Sequence, residues 1–526
     1  MFDLCFIAVV SSSCIVQIHG YPTITITMKR YPYAAPVLFG LIVAQILATV
    51  QVYLSNVRLY RSLVAISNAG YLTVPNQRIM QTLHGFWPAF FGGLFFALSV
   101  GAFIVLLSIG AAGLWDRLFH RNRPVSIALI AIWAGCLVMV NIRGIDLMVS
   151  AYFTFIPCVV LFVTLRRMPA GSSKVQWRDW IVYGGPVLIL AALWCTQLDS
   201  HLFLDVRDHL LVSNRFGTKI NDFYYTYTLY PAEAFKSLDQ KLLKTYHLER
   251  VLDRSLAESI DRRLINHDYL RVQGDSPVDL VLSQKGSFIV FGNRQGEALE
   301  VTPQVFFSKT GTLLREFSTR SDQHRLFRRF TFFSLLIGFP IVLYAFLFSL
   351  FRALIGFFLS MRTASLCASV LCLAIGIALF ALFVQSRVKG AAVGDVASAL
   401  ESERWQERVS ALKLIDTRGK EIGDFRAYSR MLTSPRIPVR YWLARCLGVS
   451  RRPETYDDLV ELLDDPHPNV VSMALYALGR RGDTRAIRVI LDVLESSRDW
   501  YNQWYAYKAL RRLGWKQTGL PQQASS

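Results

Sequence analysis

The sequence predicts a mainly α-helical protein in which a polytopic membrane bundle is interrupted by a small α+β soluble insert and followed by a C-terminal α-solenoid. Three observations carry this expectation. Seven apolar runs approach the roughly 20 residues that a helix needs to cross a hydrocarbon core. A long mixed-polarity stretch separates the first five runs from the last two. Finally, an apolar pattern near the C-terminus recurs every 31 to 32 residues, the mark of stacked helix pairs that bury one another's apolar faces.

The runs are Pro36–Leu54, Phe86–Ile109, Val125–Asn141, Leu147–Thr164, Ile181–Cys195, Phe330–Phe351 and Ala364–Val384. Ile181–Cys195 is the shortest, and if it only dips into the bilayer everything after it changes sides. The implied organisation is a bundle of about five helices over 28–195, an insert over 196–329, two further membrane helices over 330–386, a repeat region over 395–516 and a disordered tail over 517–526. Residues 1–27 stand apart. Met28-Lys29-Arg30 looks like a conventional membrane-protein beginning, so 1–27 is either an upstream extension or a membrane-associated segment. It lacks the basic start of a signal peptide.

The net charge of +19 suggests nucleic acid only if its location is ignored. Arg117, Arg121, Arg123, Arg166, Arg167, Lys174 and Arg178 flank membrane runs, which points to anionic lipid headgroups and topology and not to nucleic acid. With the linkers Trp115–Pro124 and Arg166–Asp179 in the cytoplasm and all seven runs spanning, the insert and the C-terminal region both face the outside or periplasm of a bacterial-type inner membrane. Arg58, Arg61 and Arg78 oppose that choice. The runs hold Gln45, Gln51, Asn141 and the near-boundary His84, with no central acidic or basic relay, so a structural bundle is expected over a pump. Gly92-Gly93 and Gly184-Gly185 are expected to let helices approach closely. The eight cysteines form no CxxC pair and read as small reduced hydrophobes.

In the insert, Phe223–Pro231 is strongly aromatic and reads as a strand or an interfacial helix, followed by a helix over Ala232–Leu243. Asp253–Ile265 has helical spacing, and Val278–Leu282, Ser287–Phe291 and Ala298–Val301 read as short strands separated by turn residues. That helix and meander have some likeness to a winged-helix unit. Tyr224 and Tyr227 are candidates for a protein interface.

No GxGxxG, GxxxxGK[ST] or GxSxG motif occurs, so nucleotide and acyl-transfer chemistry lack support and no cofactor is expected. In the cluster His201, Asp205, Asp208 and His209, the first two and either of the last two could share one helix face and hold a divalent ion, although surface ion pairs and caps explain the same residues. His84, Asp116, His120, Arg121 and Asp146 could converge at a membrane interface, as a lipid- or envelope-modifying enzyme would require.

The repeat lies in Ala411–Ile415, Leu443–Leu447, Ala474–Leu478 and Ala506–Leu510. Leu459–Leu463, Asp465-Pro466 and Val470–Leu478 give a short helix, a turn and an apolar helix, with Asn469 and Thr484 as expected caps. This pattern resembles HEAT-type repeats over about residues 397–516. The resemblance implies an Asp–Arg ladder in which Asp465 and Arg440 match, while Val471 and the lack of an Asp before Val439 depart from it. On the last helix Trp500, Trp504, Tyr507 and Arg511 fall on one stripe, either a cap for the terminal repeat or the centre of a protein interface. The expected function is a non-catalytic membrane scaffold or accessory subunit that docks other membrane or envelope proteins. A permease-like transport subunit and an interfacial lipid- or envelope-modifying enzyme are the alternatives.

Overall fold

The computed structural model describes residues 7–10, 13–16, 24–27, 34–167, 177–199, 202–250, 253–273, 278–293, 296–391 and 395–518. His201, Pro169–Ser173 and 519–526 lie outside them. The first backbone elements are β1 (Ile7–Val10), β2 (Ser13–Val16) and β3 (Ile24–Thr27), which pair antiparallel in sequence order. Next come α1 (Ala34–Asn68), α2 (Phe86–Asp116), α3 (Arg123–Val140), α4 (Leu147–Arg167) and α5 (Trp177–Cys195).

The insert opens with α6 (Leu202–Val206), which widens into a π turn over Arg207–Leu211, and continues through α7 (Arg215–Tyr227) and α8 (Leu229–Ala234). After these come β4 (Lys244–Glu249), α9 (Arg254–Leu264), β5 (Tyr269–Arg271), β6 (Leu280–Lys285), β7 (Phe288–Asn293), β8 (Gly296–Val301) and α10 (Pro303–Ser321). The chain returns through α11 (Arg325–Ile355) and α12 (Met361–Ala391). It closes with α13 (Val396–Glu401), α14 (Trp405–Arg418), α15 (Ser429–Leu432), α16 (Ile437–Leu447), α17 (Glu454–Glu461), α18 (Pro468–Arg481), α19 (Ala486–Ser496) and α20 (Trp500–Arg512). The fold is mainly helical, with a strand-containing insert and a C-terminal region of stacked helices.

Among the described residues six helices are long and apolar enough to cross a membrane, and Ile181–Cys195 is a shorter apolar helix. Two compact units emerge, one of 1–52, 90–188 and 323–372, the other of 53–89, 189–322 and 373–526. In the first, small residues set helix spacing: a Cβ on Gly93 would lie 2.9 Å from the Thr49 amide nitrogen, and one on Gly101 would overlap the Ala44 side chain. Gly184 and Gly185, expected to play the same part, face open space. Phe327 packs beside Phe96 and Tyr152, and Phe330 beside Phe103 and Phe153. Two of the polar groups in the runs are used locally. Gln45 donates to Thr49 and to the Phe90 carbonyl, and Asn141 donates to Ser150.

The second unit contains the insert and the repeat helices. The sheet order is β5-β4-β6-β7-β8, with β4 parallel to β5 and β6 and the last three strands antiparallel. This mixed five-stranded sheet corrects the winged-helix likeness, because β4 and the edge strand β5 extend the three-stranded meander with parallel pairing. Tyr246, Leu282, Phe291, Phe306 and Phe317 fill its core under α9 and α10. The aromatic run is helical, in α7 and α8. The helix expected over Ala232–Leu243 stops at Ala234, and the chain extends into β4 from Lys244.

Repeat stacking follows the sequence period. A Cβ on Gly448 would lie 2.8 Å from Ala477 Cα, and one on Gly479 would lie 2.8 Å from Ala509 Cα. Adjacent repeats therefore touch through glycine against alanine at matching positions, bringing α16, α18 and α20 together over a core of Leu443, Leu447, Leu475, Leu478 and Leu510. Gly419 and Gly482 end α14 and α18 with φ of 63° and 79°, a backbone that suits glycine. The start of α18 differs from expectation: His467 accepts from the Asn469 amide and Pro468 takes the first turn, so Asn469 is inside the helix. Thr484 is likewise not the cap of α19, whose N-cap position is Arg485. Asp499 caps α20.

Candidate docking site

The inner row of repeat helices is lined by the same chain. The end of α6 and the π turn that follows it present Asp205, Arg207, Asp208 and His209 toward α14 and α16. Asp208 is fully buried, receives two hydrogen bonds from Arg207 at 3.0 and 2.7 Å, and accepts one from Trp442 Nε1 at 2.8 Å. Arg207 lies 3.8 Å over the Tyr441 ring, which offsets part of the cost of burying a guanidinium. Asp205 sits between Lys413 Nζ and Arg387 Nε, each at 2.9 Å. Arg387, near the end of α12, also holds Asp199 at 2.6 Å. One network therefore joins the last membrane helix, the segment after α5 and the first repeat helices.

A cleft of about 260 Å³ opens beside this network, lined in part by His209, Arg387, Lys413, Trp442 and Arg445. His209 Nδ1 lies 2.6 Å from the Ser386 hydroxyl and its ring packs on Trp405. Burial, helped by Lys413 and Arg387 against Asp208 and Asp205, holds the imidazole below its ordinary pKa. Asp205 and Asp208 thus face cations and an indole. Among the described residues no group of three or more His, Cys, Asp or Glu is placed to hold a metal ion.

Farther along, Asp222 of α7 meets His467 at 3.3 Å, Tyr225 packs on Tyr501 with ring centroids 4.7 Å apart, and Tyr230 packs on Trp500 at 5.1 Å. Of the predicted aromatic stripe, Trp500 and Tyr507 are buried, and Trp504 is half-buried beneath Lys508 at 3.5 Å. Tyr507 donates to Asp268 at 2.6 Å, while Arg511 reaches Asp268 at 2.8 Å and the Asn266 carbonyl at 2.7 Å. The stripe packs largely on the insert. Tyr224 remains exposed, and Tyr227 packs beside Phe223 and Tyr230.

The terminal repeat is closed by the loop after α1. Asn76 Nδ2 donates to the carbonyls of Leu494, Glu495 and Ser497 at 2.9–3.2 Å, and Arg78 donates to Ser496 at 3.0 Å. These satisfy carbonyls that the end of α19 leaves without helical partners. The Asn76 amide donates to Gln503, and Gln517 exchanges two hydrogen bonds with Leu72. Gln517, expected in a loose tail, is therefore buried and held.

The other sequence candidates are locally occupied. His84 packs edge-on against Tyr60 at 4.0 Å, Asp116 pairs with Arg121 at 2.7 Å, and Asp146 caps α4 and lies 3.7 Å from His324. His120 is exposed with φ of 47°. The ladder that Val471 interrupts in the sequence is present at one rung: Arg440 makes two hydrogen bonds to Asp465, at 2.5 and 3.0 Å. A second bridge went unread, with Asp416 between Arg445 at 2.7 Å and Arg480 at 2.5 Å. Its signal was available in Arg445 and Arg480 at the ends of successive repeats. Nothing local marked Asn76 or Trp442 as contacts of residues hundreds of positions away.

No curated protein matches the chain. The family of HEAT repeats matches residues 427–511, and together with the stacked helices this makes the C-terminal portion a HEAT-type helical repeat region.

Proposed function

We propose that the protein is a non-catalytic membrane scaffold or accessory subunit that presents a HEAT-type solenoid to other membrane or envelope proteins. The observation that carries this reading is the mounting of the solenoid: the π turn and Arg387 hold one end, and the loop around Asn76 holds the other. Such fixing serves a surface that must keep a set orientation. The outward helices α17 and α19 leave Glu454, Asp457, Glu461, Arg488, Asp492 and Glu495 exposed, a mainly acidic face suited to recognition by charge complementarity.

The placement proposed is an inner membrane with the insert and solenoid outside the cytoplasm. Elements packed together in water share one side of the bilayer, and the loop around Asn76, the insert and the solenoid are hydrogen-bonded together. Three long spans separate that loop from the insert, so parity supports Ile181–Cys195 as a fourth crossing. Its helix α5 has 19 residues, enough for about 28 Å at 1.5 Å per residue. The basic loops then meet anionic headgroups on the cytoplasmic side.

The test is an exchange of charge on the full-length protein, Asp457→Lys with Glu461→Lys, followed by quantitative crosslinking in native membranes. Loss of a specific partner with the protein still inserted is expected. An unchanged partner set would sink the docking reading, and solute flux through liposomes holding the protein alone would favour transport.

A further inference from the structure

Helix α7 is amphipathic the wrong way round for a protein surface. Its inward side carries Asn221, 1% exposed, and Tyr225, which packs on Tyr501, while Asp222 at the margin, its side chain 47% exposed, meets His467. Its apolar side is turned out, with Phe216 75%, Ile220 46%, Phe223 42% and Tyr224 50% exposed. At 3.6 residues per turn these four side chains form one arc of roughly 100°. Arg215 and Lys219 lie along its edge and are exposed.

Both ends of the segment are tied to residues at the ends of membrane helices. Upstream, Asp199 and Asp205 bind Arg387, in the last turns of α12. Downstream, Tyr230 and Thr82 are hydrogen-bonded at 3.0 Å, and Thr82 precedes the start of α2, where Phe86 and Trp87 are 59% and 61% exposed. Aromatic side chains at a span end mark headgroup depth. The chain therefore enters and leaves α7 at the level where spans emerge, and an apolar arc edged by cations is what that level accepts.

We infer that α7 lies in the plane of the membrane interface, with Phe216, Ile220 and Phe223 among the upper acyl chains and Arg215 and Lys219 beside anionic lipid phosphates. Its inward face then seats the solenoid, so the lipid surface sets the height of the repeat region through one helix. The inference does not depend on what the outer solenoid face recognises.

The test places the photo-crosslinking residue p-benzoylphenylalanine at position 216, 223 or 225 of the full-length protein, reconstituted in vesicles of phosphatidylcholine and phosphatidylglycerol with clickable acyl chains and also expressed in native membranes. Lipid adducts are expected at 216 and 223, with loss of the signal at 225, which faces Tyr501. A protein-sized adduct at 216 or 223 in native membranes would overturn the inference in favour of a protein partner. A doubled mass would do so in favour of a second copy, and labelling by water alone would leave the arc in solvent and also overturn it. The probe at 220 repeats the measurement if the 216 variant is misfolded. In the pair Arg215→Gln and Lys219→Gln, the adduct yield should fall severalfold with phosphatidylglycerol present and stay constant in phosphatidylcholine alone. Equal yields in both would remove the headgroup contact.

Discussion

Trp442 donates its indole N–H to the fully buried carboxylate of Asp208 at 2.8 Å, across 234 residues of chain. The same carboxylate neutralises Arg207, so a single side chain settles a buried guanidinium and fastens the juxtamembrane π turn to the second repeat helix. Removing one member of a buried pair strands the other. Asp208→Ala should therefore cost about 3–5 kcal/mol of local stability, and Trp442→Phe about 1.5–3 kcal/mol. Hydrogen exchange of residues 202–211 and 437–447 in the full-length protein measures both, and unchanged protection in Asp208→Ala would contradict the role given to the pair.

The loop clasp is separable from that network. Asn76→Ala removes an amide whose two N–H groups are shared among three carbonyls at the end of α19, worth roughly 1 kcal/mol per N–H. Faster exchange at 490–497 and earlier proteolysis of the loop are expected, with residues 202–211 unaffected. Equal loosening at both places would mean that the two attachments act as one.

Acid should weaken the inner face. His209 is held below its ordinary pKa by burial with Lys413 and Arg387 opposing Asp208 and Asp205, and His467 by burial with Arg440 and Arg207 opposing Asp222 and Asp465. A histidine whose folded pKa is depressed contributes stability above its unfolded value of about 6.5 and loses it as pH falls through the lowered folded value. Protection factors in 205–211 and 465–472, corrected for the intrinsic slowing of amide exchange in acid, should fall from pH 7.5 to pH 5, and His209→Gln should flatten the first response. Unchanged protection factors in both segments would rule the effect out.

Repeat spacing depends on the absence of a side chain at two positions. Gly479→Val places atoms where Ala509 already sits, and overpacking of this kind costs about 1–3 kcal/mol. Calorimetry should show a lowered transition, whereas Gly184→Ala, facing open space, should leave it in place.

Topology has its own check. Single cysteines replacing Ser237 or Thr484 should be labelled from the side opposite to those replacing Asn122 or Ser360. Labelling of all four from one side would break the parity on which the placement of the solenoid rests.

Much of this architecture was legible in local pattern. Apolar runs and the 31 to 32 residue repeat report themselves because hydrocarbon and helix-on-helix packing each impose a period on the chain. The helix at 254–264 could be read from Asp253 and its spacing, since a cap is a contact between neighbours. The parallel strands β4 and β5 were missed, because Lys244–Glu249 mixes charge into a short segment whose pairing comes from residues 25 and more positions away.

What the amino-acid order determined by itself was therefore the material: spans, a strand-bearing insert, and helices that stack at a fixed interval. Only the tertiary structure decided that the insert fills the inner face of the repeats, that most of the aromatic stripe of the last helix is spent on contacts such as Asp268 and Tyr230, and that α7 turns its apolar arc outward. Those outcomes depend on which distant surfaces meet. Local spacing sets the face a helix has to offer, and the neighbour that arrives sets which face is buried.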